Sequence, residues 1–114
     1  MPDDRRTLTT AALHILVAIG PGERHGYAIM AEVEQLTNGA LRLAPGTLYT
    51  TIKRLLAANL IEETGERPDA HLDDQRRRYY RLTPGGRAMV ASEVLRLESL
   101  VSTARPWALG TRNR

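Results

Sequence analysis

Apolar residues recur at helical spacing from Leu8 to Ile19, where Leu8, Ala12, Ile15 and Ile19 mark one face and Leu13, Leu16 and Val17 extend it around most of the circumference. A helix this apolar needs cover on more than one side. In a small domain its own core supplies one cover, and a partner subunit is a reasonable occupant of the other. Gly20-Pro21-Gly22 then breaks the chain. A second helix is predicted from about His25 to Thr37, with Ile29, Val33 and Leu36 as its inward face and Asn38-Gly39 as its stop. Leu41-Arg42-Leu43 alternates briefly, as a three-residue strand would.

Pro45 suits the first position of a third helix running to about Ala58. Leu48, Ile52, Leu55 and Leu56 fall on one face, and Thr47, Thr50, Thr51 and Arg54 recur at the same spacing on another. Leu60 to Glu66 and Arg77 to Leu82 read as two strands joined by a polar loop, with Arg78, Tyr80 and Leu82 on the opposite side from Arg77, Tyr79 and Arg81. Thr83-Pro84 is an N-cap followed by a helix-starting proline, and Pro106 should end that last helix at Arg105. Along it Val90, Val94, Leu97, Val101 and Ala104 form a seam suited to another helix. The order is helix, helix, helix, hairpin, helix, which predicts a mainly α fold with a small β-hairpin. A winged helix-turn-helix is expected over 1–83, a C-terminal dimerisation helix over 84–105 and a tail over 106–114.

The 114 residues suffice for one module with a single core. With 42% hydrophobic and 25% charged residues, the composition is that of a folding chain. The formal net charge of +3 suits a polyanionic partner only weakly. All but one of the cations are arginines, which favour bidentate contacts to phosphate and guanine; a GC-rich codon bias accounts for them equally well. The absence of cysteine removes disulfides and thiolate zinc sites and makes a reducing cytoplasm the natural compartment. No apolar run reaches the ~18 residues of a membrane span, and the first residues carry no signal-peptide core, so no membrane is expected.

Chemistry concentrates on the third helix. Thr47, Thr50 and Thr51 bring hydroxyls and methyls suited to phosphates, base edges and thymine methyls, and Lys53 and Arg54 reach for phosphate or guanine. Tyr49 adds a hydroxyl on a rigid ring. A merely solvated face is the competing reading, but it would use Glu, Lys or Gln more often than the poor helix former threonine. Arg76, Arg77 and Arg78, with Arg81, put four positive charges at the start of a strand, suited to a minor groove or phosphate backbone; an edge strand guarded by charge is the alternative. Asp69, Asp73 and Asp74 in the loop oppose that run. His14, His25 and His71 have no metal-ligand spacing, and neither a phosphate loop nor a nucleophile elbow is present, so neither an enzyme nor a cofactor is expected.

Several motifs in fixed order carry a family resemblance: His25-Gly26-Tyr27, Leu43-Ala44-Pro45-Gly46-Thr47-Leu48-Tyr49, Leu60-Ile61-Glu62, and Arg78-Tyr79-Tyr80-Arg81-Leu82-Thr83 leading through Gly86. Over roughly residues 8 to 103 the chain resembles the PadR transcriptional regulators, in the short subgroup with a single C-terminal helix. The resemblance implies a winged helix-turn-helix that binds double-stranded DNA as a homodimer. The third helix then reads bases, Tyr27 and Tyr49 contact the backbone, and the wing arginines Arg76, Arg77 and Arg78 hold the duplex. Dimerisation is expected through the first and last helices, at Leu13, Leu16, Val90, Val94, Leu97, Val101 and Ala104. The resemblance further implies repression at inverted ATGT and ACAT half-sites, relieved by a small hydrophobic or aromatic effector.

Two departures stand out. Ala44 occupies the N-cap where the family usually has serine, a loss on the order of 1 kcal/mol. No aromatic residue occurs from Pro84 to Arg105, where drug-sensing relatives stack planar ligands, and Trp107 follows only after Pro106. An aliphatic pocket at Leu97, Leu100 and Val101 is the remaining place for an effector. The alternative function is a winged-helix module that binds a protein partner or RNA without operator recognition; RNA suits a helix reader less, because its major groove is deep and narrow.

Overall fold

The Thr9 hydroxyl accepts the Ala12 amide at 3.0 Å and so starts the first helix, α1 (Thr10–Ile19), two residues later than the apolar pattern suggests. The protein is described here by a computed structural model over residues 8–68 and 76–110, the side chains of Pro68 and Arg76 excepted. The expected loop features Asp69, His71, Asp73 and Asp74 lie outside the described residues. Helix α1 ends at Gly20, whose φ of 73° is the left-handed conformation glycine adopts freely. Ile15 and Leu16 are fully buried inside the protomer, whereas Leu13 is half-buried and Val17 exposed. Leu16 therefore belongs to the protomer's own core rather than to a face open to a partner, a correction to the expected dimer contacts.

A short strand, β1 (Glu23–His25), precedes helix α2 (Gly26–Leu36). His25 ends the strand and caps the helix, its Nδ1 accepting the Ala28 amide at 3.1 Å. The sequence pattern places a short strand at Leu41–Leu43 instead, but that stretch is irregular, with Leu41 and Leu43 half-buried against the core. The open edge of the later hairpin is what the chain at 23–25 pairs with, and nothing local announces it. Asn38 and Gly39 both take positive φ and end α2 as expected. Ile29 and Val33 are buried, but Leu36 is half exposed because the last turn of α2 runs beyond the core.

Helix α3 (Pro45–Ala57) begins at Ala44 without a side-chain cap and with Pro45 in its first turn. Strands β2 (Ile61–Pro68) and β3 (Arg76–Leu82) pair antiparallel, and β1 adds to the other edge of β3, giving the order β1-β3-β2. The β2–β3 register shifts between Glu63 and Gly65. One core gathers Ile15, Leu16 and Ile19 with Ile29 and Val33, Leu48, Ile52 and Leu55, Ile61 and Tyr80.

Thr83 caps helix α4 (Pro84–Ala108), accepting the Gly86 amide at 3.0 Å and donating to the Asn59 carbonyl at 2.7 Å. The expected stop at Arg105 is not observed: α4 passes through Pro106 to Ala108. Proline forfeits one intrahelical bond, but at an exposed helix end no packing opposes the adjustment, and the Leu109 amide closes the last turn on the Arg105 carbonyl. Only Gly86 and Glu93 of α4 are buried, so its second half projects from the body, and the molecule with this helix measures 59 Å in its longest direction. None of the described helices is long and apolar enough to cross a membrane.

Candidate nucleic-acid interface

Leu48, Ile52 and Leu55 anchor one side of α3, and this fixes what its other side presents. Thr47, Thr50 and Arg54 are exposed in one row, with Thr51 half-buried at its flank. Tyr49 and Lys53 form a second row turned toward β3. There they line a cleft of about 320 Å³ together with Thr50 and, from the sheet, Arg78 and Tyr80. Burial pushes the Tyr80 phenol above its usual range. Among the described residues neither Lys53 nor Arg54 is held in an ion pair. Of the six expected contact residues on this helix, five are exposed and Thr51 is half-buried, and Arg78 joins the wing-side row at the cleft.

The two tyrosines meet at the start of α2. Tyr49 lies against Gly26, and a β-carbon there would sit 2.7 Å from the phenolic oxygen. The neighbouring Tyr27 is exposed, with the Arg77 guanidinium 5.3 Å from its ring centroid. Tyr27, Tyr49, Arg77 and Arg78 therefore edge the α3 face on its wing side. The Arg76 side chain lies outside the described residues.

The wing is less basic than its arginines suggest. Arg81 Nε is 2.6 Å from a Glu62 carboxylate oxygen, and Arg78 Nε lies 3.8 Å from Glu66 and 4.0 Å from Glu63. On the sheet face carrying Tyr79, Glu23 accepts hydrogen bonds from Arg67 and Thr64, each at 2.6 Å, while the Arg67 guanidinium covers the Tyr79 ring at 3.9 Å. The Arg67 and Thr64 hydrogen bonds hold the Glu23 carboxyl at about 2, well below its ordinary 4.5. Sequence reasoning weighed the loop aspartates against the arginines and missed these strand glutamates. Register was the missing information, since charge opposition across strands depends on which residues pair.

The expected dimer residues on α4 are open to different degrees. Val90 packs partly on the core, Leu97 and Ala104 are half-buried, and Val94 and Val101 are exposed. Leu97 and Val101 line a shallow groove of about 420 Å³ with Glu98, Ser102, Arg105 and Pro106; Leu100 is not among its walls. The buried Glu93 carboxylate on this side is held by Arg96 at 2.8 Å. Because α4 continues past Pro106, Trp107 is helical after all, one heptad beyond Leu100 and exposed.

Residues 15–92 match the transcriptional regulator PadR-like family. This chain belongs to that family. It is 36% identical over 88 residues to transcriptional regulator Rv3488 of Mycobacterium tuberculosis, covering 77% of this chain and 76% of the other. An uncharacterized 37.1 kDa protein in transposon TN4556 of Streptomyces fradiae is 37% identical over 83 residues, 73% of this chain, but the match spans only 21% of that longer protein. A PadR-family regulator from Clostridium difficile has the same fold, with a TM-score of 0.69 at 21% identity, covering 88% of this chain and 99% of the other. RosR of H. salinarum aligns with a TM-score of 0.63 at 29% identity over 88% and 80% of the two chains. Bacillus subtilis PadR, solved in complex with operator DNA, aligns with a TM-score of 0.65 at 17% identity over 75% and 47%. Membership places the chain among winged-helix transcriptional regulators and not among enzymes.

Proposed function

We propose that this PadR-family regulator is a sequence-specific binder of double-stranded DNA. In this reading α3 enters the major groove, the β2–β3 wing holds the backbone, and two copies pair through α4 on an inverted-repeat operator to repress nearby genes. The exposed row of Thr47, Thr50 and Arg54, set directly opposite the buried anchors of the same helix, carries the proposal. A groove reader needs that division, and a merely solvated face would use threonine less often. The operator complex of Bacillus subtilis PadR lends support through the shared fold.

Selection of duplexes from a random pool by the purified protein tests it. The parent should enrich a motif with two half-sites about 34 Å apart, one helical turn. The Thr50→Ala/Arg54→Ala variant should lose ~1–3 kcal/mol per base contact on that motif with unchanged circular dichroism. Equal binding by parent and variant would remove α3 as the reader, and enrichment of an RNA or a protein in place of a duplex would favour the other winged-helix uses.

A further inference from the structure

In a regular strand, Glu63 and Glu66 would point to opposite faces, because side chains alternate and the two are three residues apart. The bulge at Thr64 changes this. Glu63 pairs with Tyr80 and Glu66 with Arg78, two β3 positions on the same face, so both carboxylates turn toward the cleft beside α3. They meet there around one guanidinium, Arg78 Nε lying 3.8 Å from Glu66 and 4.0 Å from Glu63. These contacts are loose and solvated, with the Arg78 side chain 64% exposed. The other two wing pairs, Arg81 with Glu62 and Arg67 with Glu23, are direct hydrogen bonds at 2.6 Å and lie on the opposite face of the sheet.

We infer that Glu63 and Glu66 are an internal competitor for Arg78, setting how strongly the wing grips nucleic-acid phosphate. The inference rests on the duplex-binding reading above and adds its regulation. The two carboxylates compete with any anion for that one guanidinium, and Lys53, in no ion pair among the described residues, lines the same cleft. A phosphate must displace the carboxylates from Arg78. At about 4 Å in water each such charge is worth a factor of roughly five in binding, and salt weakens it. Arg78 therefore adds little to binding while the two carboxylates hold it.

A thermodynamic cycle tests this, using fluorescence anisotropy on one selected duplex and one random duplex. The proteins are the parent, Glu63→Gln/Glu66→Gln, Arg78→Ala and the triple variant, with Glu32→Gln on α2, whose carboxylate pairs with Arg24, as a one-charge control for net charge. The Gln variant should bind both duplexes about fivefold tighter or more. Arg78→Ala should cost less than twofold in the parent and nearly the whole gain in the Gln background. A gain of the same size with Arg78 absent, or one matched by Glu32→Gln, would overturn the competition. So would unchanged affinity of the Gln variant. A parent that binds neither duplex would instead defeat the underlying reading, and the inference with it; a parent that binds but shows no coupling defeats the inference alone.

Discussion

The Tyr49 ring occupies the space a side chain at Gly26 would need: a β-carbon there would lie 2.7 Å from the phenolic oxygen and 3.1 Å from two ring carbons. This contact joins the first turn of α2 to the wing-facing row of α3. Tyr49 is half exposed, so a methyl at position 26 pushes the ring outward rather than breaking the fold. Gly26→Ala should therefore melt within a few degrees of the parent yet bind its selected duplex about tenfold more weakly, the scale of one lost charge-free contact in the handgrip of the two helices. Tyr49→Ala should lose as much, and the double variant no more than either. Additive losses would show that Gly26 acts independently of Tyr49.

Gly86 has no such freedom. A β-carbon there would sit 2.0 Å from the Leu60 carbonyl oxygen, and backbone cannot swing away as a half-exposed ring can. The contact docks the start of α4 on the turn that leaves α3, next to the bond from Thr83 to Asn59. Gly86→Ala should cost about 3 kcal/mol and lower the melting temperature by ~10 °C or more. Gly85→Ala is the internal comparison, because its β-carbon would meet nothing nearer than 3.6 Å and should leave stability nearly unchanged. Similar melting of the two variants would show that the Leu60 contact relaxes at little cost.

Much of this architecture was legible because its signals are local. Thr83-Pro84 and Asn38-Gly39 carry their own stereochemical instructions, and the spacing of Leu48, Ile52 and Leu55 fixes which side of α3 is left exposed. What the sequence hid depends on partners distant along the chain. Glu23–His25 has neither alternation nor an apolar residue, and it is a strand only because β3 offers an edge. The pairing of Arg78 with two glutamates likewise depends on a one-residue bulge at Thr64. Leu16 was assigned to a partner because its helix is apolar nearly all round, and helical spacing alone cannot say which apolar side the protomer itself will cover. Pro106 misled in the other direction, since a lost hydrogen bond near an exposed helix end is a small cost.

The clamp of Glu23 by Arg67 and Thr64 makes the join between β1 and the wing acid-sensitive. A carboxyl held at about 2 in the folded chain, against an ordinary 4.5, favours folding fully only above the higher value. That contribution fades as pH falls from 4.5 toward 2. The group is solvent-exposed, so the effect is modest and screened by salt. Glu23→Gln should have a lower urea midpoint than the parent at pH 6, and the two midpoints should converge by pH 2. A gap that persists undiminished at pH 2 would assign the difference to packing rather than to the charge.

Pairing through α4 makes the most far-reaching prediction. Val94 and Val101 are exposed in the single chain, with Leu97 between them half-buried, on a helix whose second half has no core of its own to cover it. In the proposed dimer a seam with this 4-3 spacing is buried against a second copy. Leu97→Glu puts a charge in the centre of that seam and should give a monomer by light scattering, with α1 to β3 still folded by circular dichroism. Binding to a single half-site should survive, while the gain from paired half-sites about 34 Å apart is lost. Trp107, the only tryptophan, reports on the same event. It lies on the flank of the seam, a heptad past Leu100, so its emission should be blue-shifted in the parent and move to the red in Leu97→Glu. A variant that stays dimeric would place the interface elsewhere, and Leu13 with Val17 on α1 would be the next surface to change.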